Sequence, residues 1–250
     1  MALEYFRPQN LDEAIEVLIR SKGNAIPFIG GSGVAHLSPN ADKVMIDLQD
    51  CHIDNIREEG EYLEIGTCIR LSQIAEYPKA PTALKGAILR DFPSNWRNQS
   101  SLGGLICAGG GHHTSLAVLL ALDATINLEP GTIKVPIGEY LAQKSVYRGK
   151  KILTHVKLLT SVRISPVEAI SRTPMSVPEL FCVATSWKTG RVRMVFGGRH
   201  FALPYLAIDG HGYDAEEIAN NAYSQYNQKS NYLQNCFNIL TSRTLSHLAN

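Results

Sequence analysis

Apolar positions recur along this chain with two periods, that of a helix in some stretches and that of a strand in others. In NLDEAIEVLIRSKG (10–23), Leu11, Ala14, Ile15 and Leu18 follow helical spacing. Asn10 stands where it can cap that helix, with Glu13 three residues on, and Gly23 stands where it can end it. AIPFI (25–29) and KVMIDL (43–48) are short and continuously apolar, which predicts buried parallel strands in a small α/β unit. IDNIREEGEYLEIG (53–66) alternates around Gly60 and predicts a hairpin, while RLSQIAE (70–76) and TALKGAILRDF (82–92) predict short helices. A clean apolar run predicts a further helix from Thr114 to Leu122. TINLEPGTIKVPI (125–137) predicts a second hairpin turning at Pro130 and Gly131, and Lys151 to Leu158 a closing strand.

The stretch LTSVRISPVEAISRTPMSVPEL (159–180) holds three prolines and little periodicity, so it reads as a boundary. Beyond it, FCVATSWKTGRVRMVFGG (181–198) predicts a hairpin turning at Lys188, Thr189 and Gly190, followed by helices over 215–226 and 232–248. The fold class is therefore α+β, with a larger N-terminal part and a smaller C-terminal one.

Composition narrows the function. The 250 residues are 44% hydrophobic and 19% charged with a net charge of +1. A balanced charge argues against nucleic acid or an anionic membrane as the main partner. No apolar run is long enough to span a membrane, and the N-terminus shows no secretory signal, so a cytoplasmic location is expected. The five cysteines, Cys51, Cys68, Cys107, Cys182 and Cys236, form no CxxC or CxxxC pair. Reduced thiols and no metal site in this chain are the expectation. His112 and His113 are adjacent, which on a helix or turn directs them about 100° apart, unlike the i, i+4 spacing of a chelating pair.

Two glycine-rich segments carry the candidate chemistry. PFIGGSGVAHL (27–37) follows a strand, and NQSSLGGLICAGGG (98–111), read as a loop, precedes the helix from Thr114. Glycine permits positive φ and lets backbone N–H groups converge on an anion. The first is neither a Walker A loop nor a GxGxxG fingerprint, so a tight turn after a strand is the plain alternative there, and neither segment holds a lysine. Two such segments meeting on one diphosphate could hold it through hydrogen bonds of roughly 1.5–3 kcal/mol each, with a nearby helix N-terminus adding about 0.3–1 kcal/mol.

The order of these motifs resembles the flavin-binding medium subunit of the molybdenum hydroxylases, the family of xanthine dehydrogenase, carbon monoxide dehydrogenase and nicotinate hydroxylase. The likeness runs over nearly the whole chain. It includes FRPQNLDEAIEVL (6–18), GGS (30–32) for Gly-Gly-Thr, and RNQSSLGG (97–104) for Arg-Asn-x-x-Thr-Ile-Gly-Gly. It continues with LLALDA (119–124), KKILTHVKL (150–158) and the closing YLQNCFNILTSRTL (232–245).

The resemblance implies a PCMH-type FAD-binding fold over 1–163, in subdomains of about 1–52 and 53–163, followed by a C-terminal domain of antiparallel sheet and helices over 170–250. It places Ile29, Gly30, Gly31, Ser32, Gly33 and Val34 on the FAD diphosphate, with Ser101, Leu102, Gly103, Gly104 and Leu105 as the second contact. Leu153 is set against the flavin ring, and Thr114 stands where the family has an aspartate. It further implies an oxidoreductase subunit of xanthine dehydrogenase type, without a catalytic acid or base of its own. Such a subunit takes electrons from a small 2Fe–2S subunit, beside a large molybdopterin-binding subunit, and delivers them to NAD or another acceptor. The departures are Leu105 for the family's asparagine, Thr114 for its aspartate, and no lysine counterpart around Glu168–Arg172. Each lost polar contact is worth roughly 1–3 kcal/mol. The alternatives are a structural subunit with lost or weakened FAD binding and, with no substrate-pocket motif to support it, a stand-alone flavin oxidase.

Overall fold

The computed structural model describes residues 4–29, 43–173, 176–226 and 229–249. In chain order, β1 (Glu4–Phe6), α1 (Leu11–Arg20), β2 (Ala25–Phe28) and β3 (Val44–Asp47) come first. β4 (Ile56–Glu59), β5 (Tyr62–Gly66), α2 (Leu71–Glu76), α3 (Thr82–Asp91), α4 (Ser94–Arg97), α5 (Leu102–Ala108) and α6 (Thr114–Ala121) follow. Then come β6 (Thr125–Glu129), β7 (Ile133–Pro136), α7 (Ile137–Ala142), α8 (Lys144–Tyr147) and β8 (Ile152–Leu159). The chain closes with β9 (Arg163–Ile164), β10 (Glu168–Ile170), β11 (Leu180–Ser186), β12 (Val192–Gly197), β13 (Tyr205–Gly210), α9 (Ala215–Ser224) and α10 (Asn231–Ala249).

These elements form two compact units that interleave along the chain. One holds residues 1–74, 94–108 and 125–158; the other holds 75–93, 109–124 and 159–250. In the first unit β1, β3 and β2 make a parallel sheet in that order, as the short apolar runs predict. α1 starts where its capping residues say it should: Asn10 Oδ1 accepts from the Glu13 amide at 2.9 Å, and a Glu13 carboxylate oxygen accepts from the Gln9 amide at 2.8 Å. It ends at Arg20, before Gly23, because the Ser21 hydroxyl donates to the Val17 carbonyl and Lys22 already takes positive φ. Ala14 and Leu18 bury against Ala25, Ile46 and Ile152, which makes this face the core of the unit. Its second sheet runs β4-β5-β8-β6-β7, joining both predicted hairpins across the strand at 152–159.

The second unit is a sheet in the order β10-β11-β12-β13, with β9 also on β11. Leu180, Met194, Phe196 and Phe237 lie in its core with α9 and α10. The 159–180 stretch, read from sequence as a boundary, contributes β9 and β10 to this sheet. They are two and three residues long, too short to show periodicity. α6 is buried on every side and packs on α3, β11 and β12. The LLALDA motif has its structural role here. The leucines fill the core, and Asp123 pairs with Arg193, buried in β12, and with Arg191 at 3.0 Å. Asp209 completes the network with Arg191, which holds that carboxyl below its ordinary range. Among the described residues no helix is long and apolar enough to cross a membrane.

Candidate functional site

In the first unit, residues 100–103 run beside 67–71 before turning into α5. Leu71 N donates to Ser100 O at 3.0 Å, Leu102 N to Ile69 O at 3.1 Å, and Gly103 N to Thr67 O at 2.8 Å. The segment read from sequence as a loop is thus helical from Leu102 to Ala108. Two adjacent glycines made a loop the natural expectation; the pairing of 100–103 with 67–71 supplies the start that the local sequence lacks. Ser101 acts as the cap: its Oγ accepts from Gly104 N at 3.1 Å, and its carbonyl accepts from Leu105 N at 3.0 Å. All four amides from Leu102 to Leu105 therefore donate within the protein.

The two glycines of this helix differ in purpose. A Cβ at Gly103 would stand 3.1 Å from both Cβ and the carbonyl oxygen of Thr67, so a side chain there requires Thr67 to shift by a few tenths of an ångström. A Cβ at Gly104 would meet only Ser101 Oγ, at 3.3 Å. Gly104, Cys107 and Ala108 make an exposed strip of α5, whereas Leu102 and Leu105 are buried. The side chain at 105, where the resemblance expects a polar contact, points to the interior.

Thr67 ties this segment to β8. Its hydroxyl donates to the Leu153 carbonyl at 2.5 Å and its amide to the Thr154 carbonyl at 2.9 Å. Here β8 carries a bulge: Asn127 pairs with His155 but Leu128 with Leu153, leaving Thr154 as the extra residue. Bulges re-aim neighbouring side chains. Leu153 keeps 8% of its surface exposed while Ile152 and Val156 keep none. Thr67 and Thr154 escaped sequence reasoning, since isolated threonines carry no pattern. A buried hydroxyl joining two candidate segments becomes visible only in three dimensions. Ile29, at the end of β2, packs on the core of this unit. Gly30, Gly31, Ser32, Gly33 and Val34 lie outside the described residues.

Thr114 belongs to the other unit, where it is fully buried. Asp91, from the end of α3, accepts from the Thr114 amide at 3.0 Å and hydroxyl at 2.7 Å. It also accepts from the Ser115 amide at 2.7 Å and hydroxyl at 2.5 Å. An internal carboxylate thus takes the α6 N-terminus, the end that sequence reasoning offered to a diphosphate. Gly111 is bare for packing: a Cβ there would stand 2.2 Å from the Phe201 carbonyl oxygen. His113 Nδ1 accepts from Gly110 N at 3.1 Å, and its ring stacks on Phe92. Among the described residues no cluster of three or more His, Cys, Asp or Glu is placed to hold a metal. Burial raises the thiols of Cys51 to about 11 and Cys68 to about 12, which keeps them protonated.

Gly104 offers exposed bare backbone for close approach, and the amides of Leu102 to Leu105 are engaged within the protein. The profile of the family described as the FAD binding domain in molybdopterin dehydrogenase matches residues 1–166. The chain is 27% identical over 226 residues to the uncharacterized protein YgfM of Escherichia coli K12, spanning 90% of this chain and 84% of that one. Among solved structures it superposes on carbon monoxide dehydrogenase from Hydrogenophaga pseudoflava lacking the Mo-pyranopterin moiety. The TM-score is 0.81 at 18% identity, covering 99% of this chain and 97% of that one. It also superposes on quinoline 2-oxidoreductase from Pseudomonas putida 86, with a TM-score of 0.78 at 18% identity and coverage of 99% and 97%.

Proposed function

Since the chain belongs to the family of FAD binding domains in molybdopterin dehydrogenases, with FAD as its cofactor, we propose that it is the flavin subunit of a molybdenum hydroxylase-type complex. Its partners are a large molybdopterin-binding subunit and a small 2Fe–2S subunit, and the final acceptor is NAD or another carrier. The complex works in the cytoplasm as an oxidoreductase, of xanthine dehydrogenase type or of the type of the carbon monoxide and quinoline enzymes. When bound, FAD supplies the exchange between one-electron and two-electron transfer. This chain's residues bind and orient it. Ile29, Gly30, Gly31, Ser32, Gly33 and Val34 take the diphosphate; Ser101 and Gly104 form the second contact. Leu102, Gly103 and Leu105 hold α5 in place, Leu153 lies against the ring, and Thr114 holds the α6 end through Asp91. The proposed domain division remains 1–163 for flavin binding and 170–250 for the C-terminal part.

The observation that carries this reading is the family match, which includes both the Ser101–Leu105 segment and Leu153. A structural subunit with weakened flavin binding is favoured by a different one: the α5 amides and the polar groups of Thr114 are all engaged internally. The complex purified with its partner chains separates the two. On denaturation the flavin subunit releases close to one FAD per chain, and a preparation that releases none overturns the assignment. Gly104→Leu, which adds a side chain on the exposed strip, lowers the FAD released while leaving the melting temperature of the chain in place.

A further inference from the structure

The second unit contains a cleft of about 780 Å³, every lining residue of which belongs to that unit. Its walls are α3 from Thr82 to Arg90, Leu122 after α6, and the chain from Leu159 to Val167. The volume is that of a small-molecule site. Ala83, Ala87 and Leu122 give it an apolar wall. Two arginines line it, Arg90 and Arg163, and no carboxylate stands among the lining residues. Arg163 is held in place by donating to the Leu248 carbonyl at 2.7 Å. Arg90 donates through Nη2 to the Ser171 hydroxyl at 3.2 Å, while its Nε is buried and has no acceptor.

A buried N–H of a cation without an acceptor is costly, and the guanidinium edge is shaped for a carboxylate. We propose that this cleft binds a small organic anion, a carboxylate received by Arg90 with a flat or aliphatic body against the Ala83, Ala87 and Leu122 wall. None of the lining residues is one assigned to FAD, so this site stands independently of the flavin reading.

The full-length chain titrated with 2-naphthoate and with its uncharged analogue 2-naphthamide tests this. The naphthoate binds one per chain, at least about tenfold more tightly than the amide, the difference that one charge-assisted hydrogen bond makes. Arg90→Gln reduces naphthoate binding to the level of the amide. Gly86 lines the cleft and has nothing within 4 Å of its Cβ position, so Gly86→Leu narrows the cleft and weakens binding of both probes. FAD content is the same in both variants as in the wild type, which keeps a failure here distinct from a failure of the flavin assignment. Equal affinity for the two probes overturns the proposal, as does no saturable naphthoate binding or undiminished binding in Gly86→Leu. A chain that binds neither probe, and whose Gly86→Leu variant no longer co-purifies with its partner chains, makes the cleft a protein interface and also overturns it.

Discussion

At the scale of single residues, the smallest groups of the candidate site do the positioning. Thr67 contributes one hydroxyl and two backbone groups, yet these hold Gly103, Leu153 and Thr154 together. Thr67→Val keeps the shape and leaves the Leu153 carbonyl without its donor, at a cost of about 1–3 kcal/mol by chemical denaturation. The same variant loosens FAD, measured as a faster release from the complex. Gly103→Ala pushes a methyl group against the Thr67 backbone, which offsets the helix gain of alanine and leaves this variant less stable than Gly104→Ala by roughly 1 kcal/mol or more. Gly104→Ala is neutral or stabilising by up to about 1 kcal/mol, because alanine favours the helix and its methyl group meets only the Ser101 hydroxyl, a side-chain group that can give way. Equal losses from the two alanine variants contradict the division of roles. The sequence shows both glycines but cannot rank them, since their difference lies in how near Thr67 comes.

At the scale of elements, strand β8 carries a pH response. Burial lowers the His155 imidazole below its ordinary range, so the native chain resists protonation there more than the unfolded chain does. Between the ordinary imidazole value of about 6.5 and the lower folded value, the unfolded state binds more protons. Stability is therefore full above that ordinary value and falls as pH drops through the window. Melting temperatures from pH 7.5 to 5.5 fall more steeply for the wild type than for His155→Gln. In the second unit, Asp91 joins α3 to the start of α6. Asp91→Asn removes the charge that four donors share and destabilises by about 1.5–3 kcal/mol, read from denaturant midpoints. α1 was legible from its caps and α6 from its apolar run, because both signals are local. α5, β1, β9 and β10 were not, because their partners are remote in sequence and their own residues are few or glycine-rich.

At the scale of the molecule, the units interleave. α3 and α6 lie early in the chain, yet α6, on which α3 packs, rests on strands that come after residue 159. A fragment ending at residue 166, the extent of the family match, keeps α6 but loses β11 and β12, on which that wholly buried helix rests. Such a fragment lacks the near-ultraviolet circular dichroism of the full chain and binds a hydrophobic dye; a cooperative native-like melt from it contradicts this account. By itself the sequence determined the α+β class, the parallel and hairpin strands, the apolar helix α6 and the family likeness, since these rest on periodicity and on motif order. Only the tertiary structure decided which glycine is bare for packing, which helix end is already occupied, and how β8 aims Leu153. Each depends on the distance between residues far apart in the chain, and spacing along a sequence does not encode distance.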